Sequence, residues 1–147
     1  MEIARLGISV GLSSLGLNAD GSVQVPSDFA VPGWFRGGVT PGQQGSAVIL
    51  GHVDSKAGPA VFYRLGDVRP GEHIVVSLAD GVNVEFTVIG LRMYAKDDFP
   101  GRDVYGARAY AALQLVTCGG VFDATSGHYL SNLVVYSVMT HWSRSRS

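Results

Sequence analysis

Glycine and proline punctuate this chain at short intervals, and that spacing constrains its fold most. Twenty glycines and six prolines recur through Asn18-Ala19-Asp20-Gly21, Arg36-Gly37-Gly38, Pro41-Gly42, Gly58-Pro59, Arg69-Pro70-Gly71, Asp80-Gly81 and Pro100-Gly101. Short apolar runs lie between these turn signals. The pattern specifies an all-β sandwich or barrel. A chain of 147 residues makes one domain and needs no staples to fold.

The strands follow from the runs. Residues 3–15 read as an edge strand and a bend, and residues 22–25 as a short strand. Residues 26–45 are turn-rich and hold Trp34 and Phe35. The run Ser46-Ala47-Val48-Ile49-Leu50 is continuously apolar and predicts a strand buried on both faces. Residues 59–65 predict one or two helical turns, with Pro59 at the first position. Residues 72–78 and 82–91 flank Asp80-Gly81 as a hairpin. Residues 94–107 read as polar loop, and residues 111–118 and 133–139 as the last strands. The folded domain is expected over 1–140, followed by a frayed polar tail over 141–147.

Composition excludes several functions. The net charge of −1 gives no electrostatic footprint for nucleic acid. No apolar run approaches the ~18 residues of a membrane span, and no signal peptide is recognised. One cysteine excludes an internal disulfide. That count fits a reducing compartment; it also fits an extracytoplasmic enzyme in which a second thiol would trap the first.

Two apolar strands end in reactive side chains. One leads to His52 and the other, Leu113-Gln114-Leu115-Val116-Thr117, leads to Cys118. A thiol beside an imidazole is the minimal constellation for nucleophilic cysteine catalysis, because the imidazole can take the thiol proton and return it to a leaving amine. Gly119 and Gly120 leave room for a substrate backbone at the sulfur. The competing reading is a cysteine that only packs, as free cysteines commonly do. His128, ten residues after the cysteine, rivals His52, whereas His73 reads as a sheet residue and His141 lies in the tail. No cysteine or histidine spacing matches a zinc site.

These residues resemble a known family. Leu115-Val116-Thr117-Cys118 is similar to the Leu-x-Thr-Cys signature of sortases, the cysteine transpeptidases of Gram-positive bacteria. Ala47-Val48-Ile49-Leu50-Gly51-His52-Val53-Asp54-Ser55 resembles their histidine motif. The stretches 15–22, 33–38, 58–65 and 118–123 resemble class F sortases of actinobacteria. The resemblance implies a closed sortase β-barrel of about eight strands with short helices in the loops. It implies that Cys118 attacks the Thr–Gly bond of a Leu-Pro-x-Thr-Gly-like sorting signal on a secreted protein, with His52 as acid and base. A thioacyl-enzyme then passes to an amine such as a cell-wall precursor. The same resemblance puts Val116, Thr117 and Gly119 at the substrate. It places the protein on the extracytoplasmic face of the membrane, anchored by an N-terminal helix that this chain lacks. No cofactor, metal or nucleic acid is expected; Asp97-Asp98 is too short a cluster for calcium.

One departure stands out. Sortases carry an arginine after the cysteine that donates to the substrate and to the oxyanion. Residues 122–132 hold none, and the matching positions fall on Ala124 and Leu130. Arg36, Arg64 or Arg102 from other segments, or His128 or Asn132, are the candidates to replace it. The empty position also admits a hydrolysis-only cysteine peptidase, or a degenerate sortase fold that binds peptides without turning them over.

Overall fold

The computed structural model describes residues 1–145. Its elements are β1 (Glu2–Ile3), β2 (Ile8–Ser9), β3 (Ser13–Leu15), β4 (Gly33–Phe35), β5 (Gly45–Leu50), β6 (Asp54–Ser55), β7 (Gly58–Pro59), β8 (His73–Ser77), β9 (Val82–Ala95), α1 (Gly101–Tyr105), β10 (Ala111–Asp123) and β11 (His128–Arg144). Nine strands form one curled sheet in the order β2-β1-β8-β9-β11-β10-β5-β4-β3, and β6 pairs with β7 separately. The expected barrel of about eight strands is therefore a half-barrel of nine. Its end strands β2 and β3 are joined by residues 10–12 of the chain and not by a ladder, so it is curled but not closed.

Three strands carry the site-bearing half of the sheet. β10 runs antiparallel to β11 and parallel to β5. Parallel neighbours are buried on both faces, and the sequence shows it as unbroken apolar runs. On the concave face Ala47, Ile49, Leu113, Leu115 and Val135 are fully buried with Ile74, Phe86 and Phe62. Each such large side chain contributes roughly 1.5–3 kcal/mol. On the other face Val48, Val116 and Val134 pack under Val104 of α1, bordered by Phe35, Tyr94, Phe99, Tyr105 and Tyr136. Gln114 ties that helix down through Nε2 to the Val104 carbonyl at 2.7 Å. Burial there pushes the Tyr105 phenol up to about 12.

Four sequence expectations are corrected. Residues 22–25 form no strand beyond one bridge, Leu17 to Val23. Asp20 instead accepts from the Ser22 amide (3.0 Å) and hydroxyl (2.6 Å), and this local turn competes with a ladder. Pro59 does not begin a helix, because it pairs with Asp54 in the β6–β7 hairpin. The helical turn comes later, at Leu65–Asp67, fixed by fully buried Leu65 and Val68. Residues 94–107 are not one loop. β9 continues to Ala95, which pairs with Ser131, and is followed by a 3-10 turn at Lys96–Asp98 and by α1. The tail is not frayed through 144, since β11 pairs His141, Trp142, Ser143 and Arg144 with Glu85, Val84, Asn83 and Val82. Residues 146–147 of the expected tail lie outside the described residues.

Candidate active site

The register of β5 against β10 sets up the site. Leu50 pairs with Val116, and the Gly51 amide continues the ladder to the Val116 carbonyl at 3.1 Å. Two residues further on each chain stand His52 and Cys118. Period-two alternation gives both the face of Leu50 and Val116, away from the concave core. Sixty-six residues of separation thus collapse to adjacent positions on parallel neighbours. Cys118 is half-buried. Both side chains line a cleft of about 540 Å³ with Phe29, Val53, Asp54, Ser55, Lys56, Lys96, Phe122, Gly127, His128 and Tyr129.

The imidazole is oriented from two sides. Its Nε2 lies 2.7 Å from the Pro26 carbonyl, and the Phe29 ring stands over it with centroids 4.3 Å apart. A carbonyl only accepts, so Nε2 carries the hydrogen and Nδ1 is the nitrogen free to receive the thiol proton. Among the described residues His52 and Cys118 share no hydrogen bond.

The backbone beneath His52 has no slack. The Phe62 amide donates to the His52 carbonyl at 3.0 Å, and the Phe62 ring is fully buried. A Cβ on Gly51 would stand 2.5 Å from Phe62 Cδ2. Gly51→Ala must then move the ring or the histidine. The expected result is a loss of roughly 1–3 kcal/mol, read by thermal unfolding, together with lower activity from a displaced His52.

Opposite the histidine, Tyr129 donates to Asp54 Oδ2 at 2.5 Å, which holds the phenol proton above its ordinary range, and Phe122 stacks edge-on to Tyr129 at 5.1 Å. This pair occupies the Asp54 carboxylate, so Asp54 orients the cleft wall rather than His52.

The remaining sequence candidates separate cleanly. His128 lines the cleft. Asn132 pairs directly with Cys118 across β10–β11, so the two side chains share a face. Gly119 follows in the same ladder, pairing with Ser131. Arg36 instead reaches Ser14 Oγ at 3.4 Å, Arg64 pairs with Asp67 at 3.3 Å, and Arg102 lies on α1; none lines the cleft. Val116 faces the cleft side but is only 6% exposed, packed with Val48 and Val134. Thr117 points to the concave interior, 4% exposed, and its Oγ1 has no partner. An orphaned buried hydroxyl costs about 1–3 kcal/mol. Thr117→Val should accordingly raise the melting temperature by about 2–4 °C per kcal/mol recovered while leaving the cleft intact; a lower melting temperature would contradict this placement.

Sequence reasoning missed Lys96. Its Nζ lies 3.6 Å from Cys118 Sγ, reaching across β11 from the end of β9. The signal was the alternation Arg92-x-Tyr94-x-Lys96, which extends a strand through the segment read as loop.

A curled β-sheet thus brings a single thiol and an imidazole into one cleft, the pair of groups that nucleophilic cysteine chemistry requires. The family model for the sortase domain matches residues 1–140, and the chain belongs to the sortase family. The fold is similar to sortase C1 of Streptococcus agalactiae (19% identity, TM-score 0.73, covering 95% of this chain and 65% of that one). It is also similar to the sortase SrtA of Actinomyces oris (21%, 0.62, 80% and 67%) and to sortase A of Listeria monocytogenes (16%, 0.62, 79% and 72%). The chain spans just under two thirds of the Streptococcus agalactiae enzyme. A comparison with curated proteins gave no match. Among the described residues no helix is long and apolar enough to cross a membrane, and no group of three metal-binding side chains occurs.

Proposed function

We propose that this domain is a cysteine transpeptidase that cleaves a Leu-Pro-x-Thr-Gly-like sorting signal and passes the acyl group to an amine. The observation that carries the reading is the parallel β5–β10 register, which stations His52 and Cys118 side by side in one cleft. The motifs at 15–22, 33–38, 58–65 and 118–123 support a class F-like member. The family supports secreted proteins as substrates, a cell-wall amine as acceptor, and the outer face of the membrane as the place of action.

The chemistry balances without a cofactor. His52 Nδ1 takes the thiol proton as Sγ attacks the Thr carbonyl carbon. The S–C bond forms and the carbonyl electron pair moves to oxygen. Collapse breaks the C–N bond, and the leaving amine takes the proton from His52. The thioester remains on Cys118. An incoming amine gives its proton to His52, forms the new C–N bond and releases the thiol. Phe29 and Phe122 offer exposed apolar surface along the cleft on which a substrate side chain can pack.

Product analysis tests the reading. Incubation with a Leu-Pro-x-Thr-Gly peptide library and a glycine amine should give ligated peptide. Only cleaved acid would favour the hydrolysis-only peptidase. No product from folded protein would favour a binding domain.

A further inference from the structure

We infer that Lys96 is a catalytic cation of this site, serving the reaction that Cys118 and His52 are proposed to carry out, and that it does the work of the arginine this chain lacks. Three observations carry it. The Lys96 ammonium is within 3.6 Å of the nucleophilic sulfur, and it is the cation in contact with that sulfur. Among the described residues Lys96 forms no ion pair, so its charge is not spent on Asp97, Asp98 or any other carboxylate. No arginine lines the cleft among those residues either.

The strand pairing explains how Lys96 gets there. β9, β11 and β10 lie side by side, with Tyr94 and Cys118 both paired to Asn132. Lys96 opens the 3-10 turn directly after β9, and its side chain reaches over to Cys118. Its backbone is fixed one residue beyond the Ala95–Ser131 pair, and Tyr94 is held by Tyr136 hydroxyl to hydroxyl at 2.9 Å. A charge beside the sulfur is also beside the carbonyl that the sulfur attacks, where negative charge develops on oxygen. Exposed as it is, the ammonium is worth little in the empty cleft. A bound peptide excludes water, and the same charge then acts through a lower dielectric.

Alkylation of the single cysteine gives a test that needs no peptide. The charge of Lys96 should make anionic iodoacetate react faster, relative to neutral iodoacetamide, than it otherwise would. In Lys96→Gln that rate ratio should fall about fivefold, and Lys96→Arg should restore it. Peptide turnover is the second readout: kcat should fall about 10- to 100-fold in Lys96→Gln with KM little changed, and recover in Lys96→Arg. An unchanged alkylation ratio overturns the contact, whether or not peptide is turned over. A fallen ratio with unchanged kcat overturns the catalytic role. A wild-type protein that acylates no peptide while the ratio still falls contradicts the transpeptidase reading and leaves the lysine–thiol contact standing.

Discussion

Cys118→Ala should abolish peptide cleavage and ligation together and leave a folded protein. Removal of an enzyme nucleophile costs on the order of 10⁶-fold in kcat, and no other thiol exists in the chain to replace it. The fold survives because Cys118 is half-buried at the cleft and belongs to neither apolar cluster. Its ladder bonds to Asn132 are backbone bonds, which alanine keeps. Thermal unfolding within a few degrees of wild type, with turnover at background, is the expected pair of results. Residual turnover in folded Cys118→Ala would move the nucleophile elsewhere.

His52→Ala should lower turnover by about 10²- to 10⁴-fold, the range that a positioned acid and base contributes. Both half-reactions suffer, since the proton taken from the thiol is the one given to the leaving amine. The loss should depend on the leaving group. A depsipeptide that carries an ester at the scissile bond releases an alcohol, which departs with less help from an acid. His52→Ala should therefore recover part of its rate on the ester and none on the amide. Equal losses on both would show that the histidine only shapes the cleft, through Pro26 and Phe29.

The apolar runs made the central strands legible. Residues 46–50 and 111–118 are mostly apolar, with Ser46, Gln114 and Thr117 the buried polar exceptions, because each packs against a layer on both faces. Cys118 and His52 were readable for the same reason: Cys118 ends one such run and His52 stands two residues past the other. The long strands β9 and β11 extend beyond the expected bounds because their outer halves are exposed and mix polar with apolar residues, as at Arg92, Met93, His141 and Trp142, so no buried face marks them. Partner strands hold those halves in place, and composition does not record partners. Lys96 was invisible for a related reason. It is 22 residues from Cys118 in sequence, and only the side-by-side order of β9, β11 and β10 brings the two together. Arginines of other segments, His128 and Asn132 were the substitutes that the sequence offered. Arg36 and Arg64 were within reach in the sequence but are held by Ser14 and Asp67 in the fold.

The mass of the intact protein tests most directly whether Cys118 is the nucleophile that accepts the acyl group. The protein is mixed with a Leu-Pro-x-Thr-Gly peptide, quenched in acid during turnover and weighed, then digested to locate any adduct. The predicted result is a gain equal to the peptide's acyl portion through its threonine, carried by the Cys118 fragment and discharged by hydroxylamine. Ligated product without any adduct on Cys118, or an adduct on another residue, would contradict the account.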